Sequence, residues 1–93
     1  MNRMINYEIL VDGIVQGVGF RWATKQLADQ LGLVGLVRNL PNGKVFIIAQ
    51  GPKEQMTTFV NQLKQGPNPY CQVDHVYVSQ KNIGDFHNFQ VTM

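Results

Sequence analysis

The chain has 93 residues, 44% of them hydrophobic, so it is long and apolar enough to form one folded domain over residues 1–93 rather than a disordered segment. Eight Lys and Arg against six Asp and Glu leave a formal net charge of +2. These charges form no run, which argues against a nucleic acid or an acidic membrane as partner. The single cysteine, Cys71, excludes an intrachain disulfide and a zinc site built from several thiolates.

The N-terminal residues, MNRMINYEIL, lack the apolar core and the small-residue cleavage site of a signal peptide. No stretch of the sequence reaches the roughly 18 consecutive apolar residues of a membrane-spanning helix. We therefore expect a cytoplasmic protein in a reducing compartment, with Cys71 as a bystander thiol.

The first predicted element is a half-buried strand, because four apolar residues alternate with polar ones: Ile5, Tyr7, Ile9 and Val11. A glycine-rich stretch follows, and apolar residues then recur at helical spacing. The apolar stripe of this first helix consists of Phe20, Ala23, Leu27 and Leu31, with Thr24 and Ala28 beside them. The helix is predicted to end at Gly32, which suits a left-handed C-cap.

A β-hairpin is predicted next, from two apolar and β-branched runs, LVGLVRNL and KVFIIAQ, that are joined by PNG. Pro41 presets the first dihedral angle of the turn. Asn42 and Gly43 both tolerate the positive φ that a tight hairpin needs.

A second helix is predicted to open at Gly51-Pro52, because proline is tolerated in a first helical turn, and to end at Gly66. Its apolar stripe at helical spacing consists of Met56, Phe59, Val60 and Leu63. After it, CQVDHVYVSQ predicts a further strand and FHNFQVTM a short terminal one.

The predicted order is therefore strand, helix, strand, strand, helix, strand and a short fifth strand. Two amphipathic helices can bury both of their apolar stripes on one face of a single sheet. We predict an α+β ferredoxin-like sandwich, βαββαβ plus a short terminal strand, with an antiparallel sheet and two helices on one face. Such a fold hosts many functions, so function has to be argued from particular residues.

The junction between the first strand and the first helix, QGVGFR, has the composition of an anion site. Gly17 and Gly19 let the backbone curl so that successive N–H groups point inward at a helix N-terminus. Arg21 lies in the first helical turn, where a cation opposes the helix dipole unless an anion lies between the guanidinium and the amides. The patterns of a Walker loop and of a dinucleotide-binding loop are both absent, since Trp22 stands where the latter needs its third glycine. A glycine-rich turn with a surface arginine is the alternative interpretation.

Asn39 ends the first strand of the predicted hairpin, immediately before the turn. Asparagine often occurs beside turns for conformational reasons alone. The alternative is functional, because its amide group offers both donors and an acceptor to a water or a substrate oxygen.

Two motifs resemble those of the acylphosphatase family. The first, GIVQGVGFR, matches the family pattern G-x-V-Q-G-V-G-[FY]-R at each defined position from Gly13 to Arg21. The second, GLVRNLPNGKV, is similar to G-[WF]-V-x-N-x-x-[DN]-G-x-V, with Leu36 at the aromatic position and Asn42 where aspartate is commoner. It matches at Gly35, Val37, Asn39, Gly43 and Val45.

This resemblance implies an enzyme that hydrolyses the carboxyl–phosphate bond of acyl phosphates to a carboxylate and inorganic phosphate. It implies that Asn39 positions the attacking water and that no metal or cofactor is used. It also implies that the phosphate is held by Arg21 and by the backbone amides of Gln16, Gly17, Val18, Gly19 and Phe20. The six acidic residues, which are scattered without ligand-like spacing, agree with a reaction that uses no metal. We expect a monomer whose partners are the acyl phosphate substrate and the phosphate product, with no nucleic acid and no membrane.

Two other functions are compatible with parts of the sequence. The first is a non-catalytic anion-binding module, because acylphosphatase-like domains also occur within larger carbamoyl-transfer maturation proteins. The chain ends soon after the last predicted strand, and we therefore expect a free-standing enzyme rather than such a module. A nucleic-acid-binding sheet is the other. It would need exposed aromatic and basic residues, whereas Phe46, flanked by apolar residues, is predicted to be core. His75 and His87 lack a paired nucleophile and are predicted to have no role.

Overall fold

The helices and strands follow the predicted order in a computed structural model, which describes residues 3–93. They are β1 (Met4–Ile14), α1 (Phe20–Gln30), β2 (Val34–Asn39), β3 (Val45–Pro52), α2 (Lys53–Gln65), β4 (Gln72–Lys81) and β5 (Phe89–Val91). Within these residues, neither helix is long and apolar enough to cross a bilayer.

The five strands form one sheet in the order β4-β1-β3-β2-β5. β1 pairs antiparallel with β3 and β4, and β2 pairs antiparallel with β3. These four strands and two helices form the predicted ferredoxin-like sandwich. β5 departs from the predicted antiparallel arrangement, because it pairs parallel with β2 and makes the sheet mixed.

The direction of β5 follows from the route of residues 82–88. β4 ends beside the start of β1, at the end of the sheet where β2 also begins. The connecting segment crosses this end: Gln50 and Gly84 exchange two hydrogen bonds of 3.1 and 2.8 Å, and the Gly35 N–H donates to the Asn88 carbonyl at 2.8 Å. The chain therefore enters β5 in the direction of β2 and ends beside the N-terminus of α1.

The core lies between the sheet and the two helices. The predicted stripe of α2 is confirmed, since Met56, Phe59, Val60 and Leu63 are all buried. In α1 the fully buried positions include Thr24, whereas Ala23 is only half-buried. Thr24 lies one turn beyond Phe20 on the same helix face, and Ala23 lies at the margin of that face.

Local backbone geometry agrees with most of the predicted turns. Gly32 has φ +70° and ends α1, and Gly43 has φ +89° in the hairpin turn. Asn42, which tolerates a positive φ, does not adopt one; its Oδ1 accepts a hydrogen bond from the Lys44 N–H at 3.0 Å. Pro52 lies at the N-cap of α2 with extended backbone, so the helix begins one residue later than predicted.

The prediction that Phe46 belongs to the core is wrong. Its neighbours Val45 and Ile47 are buried under the helices, and strand alternation therefore directs Phe46 to the helix-free face of the sheet, where it is half-buried. The Arg38 guanidinium carbon lies 5.2 Å from its ring centroid on that face. The position of Phe46 therefore does not argue against nucleic-acid binding. That this chain binds no nucleic acid stays a prediction, which rests on its low and dispersed net charge.

Candidate active site

The loop between β1 and α1 presents a set of backbone donors. Gly17 and Gly19 have φ +75° and +77°, in the left-handed region that favours glycine. The N–H groups from Gln16 to Phe20 donate no hydrogen bond to any residue that the structure describes, and no side chain caps α1. The first turn of α1 contains no acidic residue either. Unused donors at a helix N-terminus attract an anion.

Arg21 is anchored at the same end of the molecule. Its Nη1 donates to the Thr92 carbonyl at 3.1 Å, and the Thr92 N–H in turn donates to the Val37 carbonyl at 2.9 Å. The guanidinium is thereby held against the chain that follows β5, and a planar guanidinium has five donors, so most of them stay available. Sequence reasoning missed Thr92, because a backbone acceptor carries no residue signature.

Asn39 and Arg21 line one hollow of about 200 Å³, well above the roughly 10–15 Å³ that a single water requires. Asn39 Oδ1 is buried and accepts no hydrogen bond from the described residues. A buried acceptor without a partner is costly, so this atom suits a hydrogen bond from a bound water or ligand. The lining residues are Val15, Gly17, Gly19, Phe20, Arg21, Trp22, Asn39 and Val91.

The Gln16 side chain ties the loop to the β2–β3 hairpin. Its Nε2 donates to the carbonyl oxygens of Leu40 and Lys44, both at 2.8 Å. Leu40 directly follows Asn39, so these two bonds hold the glycine-rich loop and Asn39 in one arrangement. The motif had indicated Gln16 only as one of the backbone donors.

Asn68, in the segment between α2 and β4, supports the loop from the other side. Its Nδ2 donates to the Val18 carbonyl at 2.9 Å, while its Oδ1 accepts from the N–H groups of Tyr70 and Cys71 at 2.9 and 3.1 Å. An asparagine that accepts from the N–H two residues later is typical of turns, and its sequence context indicated nothing more.

The structure brings together most of the residues singled out by sequence. Gly17, Gly19, Phe20, Arg21 and Asn39 line the hollow directly. Gln16 and Val18 do not line it; Gln16 makes the side-chain bonds to the hairpin, and Val18 accepts from Asn68.

The remaining candidates lie apart from the hollow. His75 Nδ1 is 3.7 Å from an Asp12 carboxylate oxygen, His87 Nε2 is 3.6 Å from one of Asp85, and both histidines are exposed. Cys71 is a half-buried free thiol. No three His, Cys, Asp or Glu side chains within residues 3–93 come together as metal ligands would.

The family model and the curated relatives both indicate one family. The family model described as Acylphosphatase matches residues 7–91. An acylphosphatase of Ligilactobacillus salivarius is 43% identical over 96% of this chain and 99% of the relative, and one of Lacticaseibacillus paracasei is 47% identical over 91% and 92%. The crystal structure of acylphosphatase from Bacillus subtilis superposes with a TM-score of 0.92 at 37% identity, covering 96% of this chain and 99% of that one.

Proposed function

The chain belongs to the acylphosphatase family, and we propose that its β1–α1 loop and Arg21 hold the phosphate of an acyl phosphate while Asn39 positions the attacking water. As an acylphosphatase, the enzyme hydrolyses the carboxyl–phosphate bond and releases a carboxylate and inorganic phosphate. One observation carries the proposed roles: an anchored guanidinium surrounds the same hollow together with amide donors and an amide oxygen that have no hydrogen-bond partner among the described residues.

Phosphate binding would use the donors of the loop and of Arg21. The amides from Gln16 to Phe20 and the positive end of the α1 dipole favour a dianion at this point. The same anion would relieve the unfavourable position of Arg21 beside that dipole. Because the Thr92 carbonyl already holds one nitrogen of the guanidinium, the side chain is positioned before the substrate arrives, and its remaining donors would be free to bind the phosphate.

Water would be positioned by Asn39. Its Oδ1 accepts one proton of the water in a hydrogen bond and leaves an oxygen lone pair free to approach phosphorus in line with the leaving carboxylate. As the new bond between water oxygen and phosphorus forms, the bond between phosphorus and the acyl oxygen breaks, and its electron pair leaves with the carboxylate. The proton of the water passes to a phosphate oxygen. A carboxylate is a good leaving group, so the reaction relies on position and charge more than on an acid.

An assay with an aromatic acyl phosphate such as benzoyl phosphate, in the presence of a chelator, tests this proposal. We expect turnover that the chelator does not reduce and that inorganic phosphate inhibits competitively. Binding of phosphate without turnover of any acyl phosphate would instead identify an anion-binding module. Loss of turnover in the chelator, restored by a divalent metal, would contradict a reaction that uses only the residues above.

Replacing Gln16 by alanine is expected to lower kcat by about tenfold. Two hydrogen bonds between the loop and the hairpin are lost, and small displacements of the groups that position the reactants lower the rate of phosphoryl transfer strongly. Gln16→Glu is a stricter variant, since its carboxylate would face two carbonyl oxygens, and we expect a larger fall. Steady-state kinetics of both variants, with a thermal unfolding curve for each, measure the effect. Wild-type kcat in Gln16→Glu would show that these bonds do not position Asn39.

We further propose that the enzyme acts as a cytoplasmic monomer that binds no nucleic acid. One hydrophobic core of this chain includes Val15 and Phe20, which also line the hollow, so a single chain can fold around the proposed site. A single free thiol without a disulfide is typical of a reducing compartment. Size-exclusion chromatography with light scattering checks the oligomeric state.

A further inference from the structure

An apolar wall forms part of the lining of the hollow. Trp22, at the third position of α1, leaves 60% of its surface exposed, and Val91 of β5 leaves 38% exposed, yet both line the hollow. The fold provides no packing reason for a tryptophan in this place, because α1 buries the opposite side of the helix. A large aromatic surface beside a proposed phosphate cradle suits the part of the substrate that the cradle does not hold.

The charges of the residues that line the hollow also favour an uncharged substrate group beside this wall. Among the lining residues of the described chain, Arg21 is the one charged side chain, and the proposed function assigns it to the phosphate. The wall that remains beside Trp22 and Val91 thus contains no cation for a second anionic group. A carboxylate or phosphate on the acyl group would lose water against apolar surface without gaining a partner.

We propose that Trp22 and Val91 form an acyl subsite that selects acyl phosphates with an uncharged, apolar acyl group, aromatic ones above all. This inference rests on the proposed function, since it takes the phosphate to lie against Arg21 and the loop. The acyl body then extends over the indole ring, where an aromatic ring gains offset-stacked or edge contacts.

Trp22→Ala tests the subsite with two substrates, benzoyl phosphate and acetyl phosphate. We expect kcat/KM for benzoyl phosphate to fall about tenfold, mostly through KM, because an aromatic contact of the usual strength is lost. The values for acetyl phosphate and for inhibition by inorganic phosphate should change less than twofold. Trp22→Phe should retain most of the preference. Tyr77→Ala removes an exposed aromatic ring of β4 that does not line the hollow, and this variant should behave as the wild type. Equal losses for both substrates in Trp22→Ala would overturn the subsite.

The charge preference has its own test in the wild-type enzyme. We expect kcat/KM for 4-carboxybenzoyl phosphate to lie at least tenfold below that for benzoyl phosphate, because the two differ only in a second anionic group. Equal values would overturn the proposed selection against charged acyl groups. Absence of turnover for every acyl phosphate would be a different result, which contradicts the proposed function itself.

A second inference comes from the hydrogen bond between Asn68 Nδ2 and the Val18 carbonyl. In a trans peptide the C=O and N–H groups point in opposite directions, and no cis peptide occurs among the described residues. Holding the Val18 carbonyl on the Asn68 side therefore directs the Gly19 N–H to the other side, and Gly19 lines the hollow. We infer that Asn68 is a positioning residue that orients one donor of the phosphate cradle.

Asn68→Asp separates this role from a structural one. Aspartate keeps an acceptor for the N–H groups of Tyr70 and Cys71 but removes the donor to Val18, whereas Asn68→Ala removes all three bonds. We expect phosphate inhibition to weaken about tenfold in both variants, while Tm falls clearly only in Asn68→Ala. Tyr70→Asp places the same charge two residues away on an exposed side chain and should leave phosphate inhibition within twofold. Wild-type inhibition in Asn68→Asp, or an equal loss in Tyr70→Asp, would overturn the inference.

Discussion

Arg21→Lys is expected to lower kcat/KM for an acyl phosphate by about 10²- to 10³-fold or more, although the positive charge is retained. Arginine can donate to the Thr92 carbonyl and, from the other nitrogens of the same rigid plane, to two phosphate oxygens. The lysine ammonium is a single point of charge, so a bond to Thr92 would draw it away from the phosphate. Both kcat and the affinity for inorganic phosphate should fall, since the proposed contact between the guanidinium and the anion forms before the reaction and persists through it.

Arg38→Lys is the matched control for Arg21→Lys. Arg38 lies on the helix-free face of the sheet beside Phe46, apart from the residues that line the hollow. The same change of side chain at this position should leave kcat/KM within about twofold. Near-normal turnover in Arg21→Lys would contradict the role proposed for the guanidinium, and an equal loss in Arg38→Lys would show that the effect is not local.

Asn39→Ala is expected to lower kcat by about 10²- to 10³-fold and to change the inhibition constant of inorganic phosphate less than about threefold. The proposed role of Asn39 is to place the water, and that interaction contributes chiefly in the transition state. Stability should not fall with activity, because the substitution removes a buried oxygen that has no partner among the described residues. The variant would thus be folded, able to bind phosphate and nearly inactive.

Three measurements on Asn39→Ala check this combination: steady-state kinetics, phosphate inhibition and a thermal unfolding curve. Asn61→Ala on the exposed side of α2 is the matched control and should change none of them. If phosphate inhibition worsened as much as kcat, Asn39 would be a phosphate ligand instead of a water-positioning residue. A large fall in Tm would mean that the Asn39 side chain stabilises the hairpin.

Much of the fold could be predicted from local patterns. The spacing of Met56, Phe59, Val60 and Leu63 predicted a helix and its buried face, and the structure has both. Gly17 and Gly19 were predicted to curl the loop before α1, and both have positive φ. These features depend on sterics and periodicity within a few residues, so one short window of sequence contains the information.

The support of the site could not be predicted in this way. Arg21 reaches a carbonyl 71 positions away, Asn68 reaches one 50 positions away, and Gln16 binds two carbonyls across the hairpin. Each acceptor is a backbone oxygen, which every residue possesses, so no residue type marks the partner. The error at Phe46 has a related cause, since an apolar residue between two core residues of a strand faces the opposite side.

The amino-acid sequence alone determined which groups are available at the site: two glycines that accept a left-handed backbone, one guanidinium at a helix N-terminus and one amide before a hairpin turn. The tertiary structure alone decided that these groups meet, because the ends of β1, β2 and β5 lie at the same end of one sheet. It also decided which distant carbonyls hold Arg21, Gln16 and Asn68. The physical reason is the distance along the chain over which each interaction acts. Dihedral preferences act between neighbouring residues, whereas the pairing of strands and the partners of polar side chains depend on how the whole chain packs.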